Sequence, residues 1–162
     1  MAQKGSVVLI TGGTSGFGRA IAGRMAQQGA QVVITGRNEA RLRETMEALG
    51  VDGIAADAAK TEDWVRVRDM LEKKYGRLDV LVNNAGTGVV IKDLCDQTLE
   101  EIKTCVNINL MGPIYGIRYL APMMKRQHSG TIINLSSVCA DHAWPGYSVY
   151  AAAKAGVLNL SK

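Results

Sequence analysis

Val7-Val-Leu-Ile-Thr11-Gly-Gly-Thr-Ser-Gly-Phe-Gly18 joins an apolar run to a glycine-rich turn, and helical periodicity follows from Gly16 to Gln28. A short continuous apolar run predicts a strand covered on both faces. Glycines at 12, 16 and 18 permit a tight turn after it and let backbone amides approach a pyrophosphate at the positive end of the next helix. Gly13 and Gly18 also have the G-x-x-x-x-G spacing of a nucleoside-triphosphatase phosphate loop. Arg19-Ala20 then stand where that chemistry needs Lys-Ser/Thr for the β/γ-phosphates and magnesium, which excludes it. The strict G-x-G-x-x-G fingerprint is also absent, because Ile21 occupies the third glycine position.

The pattern repeats along the chain. Gln31 to Thr35, Gly53 to Ala56, Val80 to Asn83 and Thr131 to Ser136 read as further buried strands. Helical segments alternate with them: Glu39 to Leu49, Thr61 to Tyr75 and a long one from Leu99 to Arg126. Gly29, Gly50 and Gly76 stand where helices should stop. Strand and helix in alternation, joined by right-handed crossovers, predict an α/β fold with a doubly wound parallel sheet. The 162 residues are read as one domain, with no internal repeat, linker or low-complexity tract.

Composition narrows the function. Lys and Arg number 19 against 15 Asp and Glu, a formal charge of +4, but no basic cluster is interleaved with aromatics and there is one Phe. That argues against a nucleic-acid surface. Cys95, Cys105 and Cys139 lack C-x-x-C spacing and read as reduced thiols of a cytoplasmic protein, with no metal site. No signal-type apolar leader and no run approaching the length of a membrane span is present in the sequence, so a cytoplasmic protein without membrane partners is expected.

The chemistry sits near the carboxyl end, in Tyr150-Ala-Ala-Ala-Lys154-Ala-Gly, with Ser137 thirteen positions before Tyr150. Residues at i and i+4 stack on one helix face, so the phenol and the ammonium can share a pocket. A cation beside a phenol favours the phenolate and lowers its pKa from about 10 toward neutrality, where acid/base work is efficient. Such a proton donor suits carbonyl reduction. A Y-x-x-x-K pair taken alone reads as an exposed helical pair. Here the run Thr131-Ile-Ile-Asn-Leu135 precedes it and delivers Ser136-Ser137 to the carboxyl end of a parallel strand, where open α/β sheets bind ligands.

Thr11-Gly-x-x-x-Gly-x-Gly18, Asn83-Asn-Ala-Gly86, Ser137 and Tyr150-x-x-x-Lys154, in this order across the chain, resemble the classical short-chain dehydrogenase/reductase family. The resemblance implies a Rossmann-type, nicotinamide-dependent oxidoreductase acting on a small carbonyl/alcohol substrate, usually as a homodimer or homotetramer. It implies that Tyr150 is the general acid/base, that Lys154 depresses its pKa and holds the nicotinamide ribose, and that Ser137 hydrogen-bonds the substrate oxygen. The family's fourth catalytic residue, an asparagine three before a glycine, matches Asn109 in Asn109-Leu-Met-Gly112, with Asn107 a second candidate. Pro113 has no N–H, so a helical segment there leaves the Asn109 carbonyl free to hold a water that joins Lys154 to solvent.

For the cofactor, the resemblance implies Gly12, Thr14, Ser15, Gly16, Phe17 and Gly18 around the pyrophosphate, with Asn84, Ala85 and Gly86 along the adenosine ribose beside Asn83. Asp57 is placed next to the adenine, or is a solvated turn aspartate. His128 reads as an exposed turn residue, and His142 and Trp144 either line a substrate pocket or pack a loop. Enzymes that prefer the unphosphorylated cofactor place a carboxylate at the end of the second strand for the ribose 2′-hydroxyl. This chain has Thr35-Gly36-Arg37 there: Gly36 removes the carboxylate and Arg37 offers a fork suited to phosphate. NADP(H) is therefore expected over NAD(H), with Glu39 two residues on as the opposing feature.

A catalytically silent NAD(P)(H)-binding sensor or scaffold is the alternative, against which the Ser137, Tyr150, Lys154 set stands. The pocket is assigned to loops near Thr87 to Lys92 and Asp141 to Ser148. Relatives continue with a further strand–helix–strand beyond the point where this sequence ends, Ser161-Lys162. The expectation is a longer parent chain, with Thr131 to Ser136 left as an exposed sheet edge in its absence.

Overall fold

β1 (Val7–Ile10) lies at the centre of the sheet because its four side chains are apolar and almost wholly removed from solvent. A strand with no polar side is stable only between two covering layers. The computed structural model describes residues 4–88, 91–142 and 144–162. In it β1 pairs in parallel with β2 (Gln31–Gly36) and with β4 (Val80–Asn83). β3 (Asp52–Ala55) extends the sheet beyond β2, and β5 (Thr131–Asn134) extends it beyond β4. The order β3-β2-β1-β4-β5 reverses direction between β1 and β4, which opens a crevice at their carboxyl ends.

The helices are α1 (Gly16–Gln27), α2 (Glu39–Leu49), α3 (Thr61–Tyr75), α4 (Leu99–Val106), α5 (Gly112–Gln127) and α6 (Ser148–Leu160). Alternation along β1 splits the core into two layers. Val7 and Leu9 pack with Trp64, Val67 and Leu71 of α3 and Leu120 and Met123 of α5. Val8 and Ile10 pack with Ala22 of α1 and Leu42 of α2. Each such Leu or Ile contributes roughly 2 kcal/mol on burial, so the central strand and its flanking helices stand or fall together.

The stops expected from glycine hold. Gly50 and Gly76 cap α2 and α3 in the left-handed region, at φ +64° and +67°, and Gly29 follows the end of α1 at φ +84°. Two expectations need correction. The predicted single helix from Leu99 to Arg126 is broken: Asn107–Met111 is a π-helical bulge in which the Gly112 N–H reaches back five residues to the Asn107 carbonyl. Pro113 supplies no N–H to continue the regular ladder, so the wider turn precedes it. The predicted strand Thr131 to Ser136 ends at Asn134, and it is not covered on both faces. β5 is one of the two sheet edges among the described residues, β3 being the other, and Thr131 and Ile133 are exposed.

Candidate active site

Thr11 ties the carboxyl end of β1 to that of β4. Its buried Oγ1 accepts the N–H groups of Asn84 (3.0 Å) and Ala85 (2.9 Å) and donates to the Val82 carbonyl at 3.4 Å. Asn84 Nδ2 returns the connection by donating to the carbonyls of Thr11 (2.8 Å) and Gly12 (3.2 Å). This clasp fixes the turn that opens α1. A Cβ on Gly18 would lie 2.4 Å from both the Gly12 carbonyl oxygen and Asn84 Nδ2, so no side chain is tolerated there. Gly12 has φ +65° and Gly16 φ +51°, both left-handed. α1 carries no acidic residue in its first turn and Ser15 makes no side-chain cap, so its positive end stays open to an anion.

A cavity of about 490 Å³ runs from this turn across the crevice, lined by Gly12, Thr14, Ser15, Gly36, Arg37, Asp57, Asn84, Ala85 and Gly86. Of the residues read as cofactor ligands, Gly16, Gly18 and Phe17 stand beside it in the first turn of α1, Phe17 with its ring exposed. Asp57 lies both in a turn and at the cavity wall. Its Oδ1 accepts the Ala59 N–H at 3.0 Å in a turn, and the residue also borders the cavity. Arg41 borders it as well and was not anticipated. Arg41 lies in the first turn of α2, four residues beyond Arg37, which precedes the helix.

At the other end of the crevice α6 presents Tyr150 and Lys154. Lys154 is buried, its Nζ donates to the Leu135 carbonyl at 2.8 Å, and it lies 5.7 Å from the centroid of the Tyr150 ring. Burial pushes the lysine pKa below its ordinary value, with the nearby Cys105 acting in the opposite direction. Asn109 is fully buried while Asn107 is exposed, so the two candidates occupy different environments. Asn109 Nδ2 donates to the Cys105 carbonyl (3.0 Å), and Oδ1 accepts the Thr87 N–H (3.3 Å). Gly86 closes the group: a Cβ there would come within 3.0 Å of Asn109 Oδ1 and 4.0 Å of Lys154 Nζ.

Ser137 begins the short turn Val138–Ala140, which packs on α6, and its Oγ accepts the Cys139 N–H at 3.2 Å. Among the described residues that hydroxyl donates to no protein acceptor, which leaves its proton for a ligand. A second cavity of about 260 Å³ adjoins Tyr150 and is bordered by Thr87, Gln97, Thr98, Glu101, Thr104 and Cys105. Val89 and Val90, in the loop assigned to substrate, and Ala143, in the second such loop, lie outside the described residues. His142 is exposed, and Trp144 packs its ring against Tyr147 with centroids 6.4 Å apart. His128 is exposed and left-handed at the end of α5. Among the described residues no cluster suited to a metal ion occurs, the three cysteines are unpaired, and no helix is long and apolar enough to cross a membrane.

A glycine turn at the open end of a helix, beside a buried lysine paired with a tyrosine on a parallel sheet, is the arrangement of a known family, and residues 6–162 match the family model described as short chain dehydrogenase. The chain belongs to that family. It is 37% identical over its full length to the 3-oxoacyl-[acyl-carrier-protein] reductase FabG of Thermotoga maritima. It is 34% identical over 96% of its length to the NADP-dependent 3-hydroxy acid dehydrogenase YdfG of Escherichia coli K12. It spans 68% and 63% of those relatives' own lengths. A metagenomic short-chain oxidoreductase solved in complex with NADP superposes with a TM-score of 0.93 at 30% identity, over 99% of this chain and 75% of that one. A short-chain dehydrogenase from Streptomyces avermitilis gives 0.91 at 33% identity, over 99% of this chain and 59% of that one. The Rossmann-type sheet and an oxidoreductase of this family are thereby shown, and the residues lining the long cavity fit a dinucleotide: glycines where a Cβ would intrude and a helix end free of negative charge.

Proposed function

We propose that these residues form the cofactor-binding domain and proton-handling centre of an NADP(H)-dependent oxidoreductase that interconverts a small carbonyl and its alcohol. The observation that carries this is the pairing of Tyr150 with a buried Lys154 at the crevice end opposite Arg37. The dinucleotide supplies hydride when bound. Every remaining task falls to the protein. Tyr150 delivers the proton to the substrate oxygen in reduction and removes it in oxidation. Lys154, held in place by the Leu135 carbonyl, keeps its amino group beside the Tyr150 ring and holds the nicotinamide ribose. Ser137 donates its free hydroxyl proton to the oxygen where negative charge develops.

Asn109 serves through its main chain. The π bulge and Pro113, four residues on, withhold the usual helical N–H from its carbonyl, which would hold a water linking Lys154 to solvent. Its side chain fixes Thr87, the first residue of the loop beside the second cavity. NADP(H) is favoured over NAD(H) by Gly36 and Arg37 at the end of β2, and by the NADP named for one relative and one solved neighbour. A cytoplasmic homo-oligomer remains the expected form.

The test is oxidation of NADPH followed at 340 nm with a panel of ketones, aldehydes and quinones, in the parent and in Tyr150→Phe. Turnover with at least one carbonyl, lost by more than tenfold in the variant while NADPH binding stays within a few-fold, supports the reading. Variant activity within tenfold of the parent removes Tyr150 from its role.

A further inference from the structure

One carboxylate holds both ends of the segment that leads into α4. Glu101 Oε2 accepts the Thr98 N–H at 2.8 Å while the Glu101 N–H donates to Thr98 Oγ1 at 3.2 Å, a reciprocal cap that opens the helix. The second carboxylate oxygen, Oε1, accepts from Lys92 Nζ at 2.9 Å. Across the short turn Leu94–Asp96, Gln97 Nε2 donates to the Lys92 carbonyl at 3.3 Å. Residues 92–98 therefore form a closed loop whose two ends meet at Glu101.

The cap alone would be a local feature of α4, but the tied segment also borders the Tyr150 end of the crevice. Gln97, Thr98 and Glu101 line the second cavity together with Thr104, Cys105 and Tyr150. Ile91, next to Lys92, lies on Gly146: a Cβ there would come within 2.7 Å of Ile91 Cγ2 and 3.2 Å of the Lys92 nitrogen, and the glycine is left-handed at φ +78°. Gly146 stands in the loop that leads into α6, shortly before Tyr150. Glu101 thus connects α4, the tied segment and, through Lys92 and Ile91, the loop that precedes Tyr150. An exposed ion pair by itself contributes little, because two long side chains must be ordered in water. Here the cap already orders the Glu101 side chain, so the pair has only Lys92 left to fix.

We propose that Glu101 is a positioning residue for the carbonyl substrate: with Lys92 it fixes residues 92–98 as the outer wall of the second cavity, and breaking the pair lets that wall move away from Tyr150. This rests on the reading of Tyr150 as proton donor to a carbonyl. A loosened wall lowers the fraction of molecules competent to bind substrate and leaves the chemical step of the bound ones unchanged, so the loss falls on KM.

The experiment separates the two tasks of the carboxylate, because Glu101→Gln still caps the helix but lacks the charge that holds Lys92. In NADPH oxidation with a carbonyl that the parent reduces, Glu101→Gln and Lys92→Met are each expected to raise the KM for the carbonyl at least fivefold with kcat and NADPH affinity within twofold, and Lys92→Arg to stay near the parent. The double variant is expected to match either single one, since the same interaction is lost in all three. A parent-like KM in both single variants, or losses that multiply in the double one, overturns the proposal. Hydrogen exchange of the peptide spanning residues 91–98 needs no turnover: exchange at least fivefold faster is expected in both single variants at an unchanged melting midpoint, whereas Glu101→Ala should lower the midpoint as well. A parent that reduces no carbonyl overturns the reading of Tyr150, while parent-like exchange in both variants overturns the tie whatever the parent reduces.

Discussion

Lys154 Nζ sits 2.8 Å from the Leu135 carbonyl, so the one buried lysine of α6 is fastened to the residue that follows β5. Ser136 adds a second tie, its hydroxyl donating to the Lys154 carbonyl at 2.9 Å. α6 and the carboxyl end of the sheet are thus joined at the lysine itself. Burial costs the ammonium hydration that one carbonyl replaces only in part, and its lowered pKa records that cost.

Lys154→Met is expected to be at least as stable as the parent at pH 7 while turnover falls by about 100-fold or more, the size of a typical acid/base contribution. The sign of the pH effect follows from linkage. With the folded pKa below the unfolded value of about 10.4, the unfolded chain binds the proton more tightly, and the parent gains stability as pH rises between the two values. Urea midpoints from pH 7 up to the unfolded value of about 10.4 should show the parent gaining on the variant once the pH passes the folded pKa. A difference constant throughout would mean that the lysine carries no burial cost.

Asn109→Leu removes the amide that holds the Cys105 carbonyl and the Thr87 N–H. Both groups lose a partner next to a fully buried position, so a loss of about 2 to 3 kcal/mol in urea unfolding is expected. The proposed relay uses the main chain, yet turnover should also fall, because Thr87 loses its anchor beside the second cavity. Unchanged stability would refute the clamp.

Much of this was legible in the residues. Apolar runs such as Val7 to Ile10 have one stable environment, the middle of a parallel sheet, and glycines at helix ends declare themselves by the conformation they permit. The long helix through Asn109 misled because periodicity registers apolar spacing and is nearly blind to one extra residue in a turn; Pro113 was the visible cue to the bulge. The Thr11 clasp was illegible for a different reason. Its partners Asn84 and Ala85 lie more than seventy residues away, and only strand register brings them together. The small face of α6 is partly filled from within: a Cβ on Gly156 would meet Leu110 Cδ1 at 2.9 Å.

Gly18→Ala tests the glycine turn. The new methyl would press on the Gly12 carbonyl and the Asn84 amide, both held by the Thr11 clasp, so relief requires the turn to move. A stability loss of about 1 to 3 kcal/mol is expected, with dinucleotide affinity down at least tenfold. Gly23→Ala, in the same helix, meets only Leu49 Cδ2 at 3.4 Å and should instead stabilise by up to about 1 kcal/mol through helix propensity. Thermal melts and fluorescence titration with NADPH check the pair, and equal behaviour of the two variants would refute the steric account.

Asp79 tests the base of the central strand. Its Oδ2 accepts the Val7 N–H at 2.8 Å, and Arg77 bonds both carboxylate oxygens. Burial alone would raise the aspartate pKa, but the Arg77 guanidinium and the Val7 N–H outweigh it and hold the carboxyl below its ordinary value. A folded pKa below the unfolded value of about 3.9 gives stabilisation that is complete above the unfolded pKa and disappears as pH falls through the folded one. Asp79→Asn keeps an acceptor and loses the charge, so a cost of about 1 kcal/mol is expected at pH 7. That cost should stay constant from pH 8 to about pH 5.5 and shrink below about pH 4, where the parent carboxylate protonates. Asp69→Asn, which removes the exposed partner of Arg68, should leave the urea midpoint unchanged across the same range. A parent-to-Asp79→Asn difference that persists undiminished in acid would show that the carboxylate charge contributes nothing to anchoring β1.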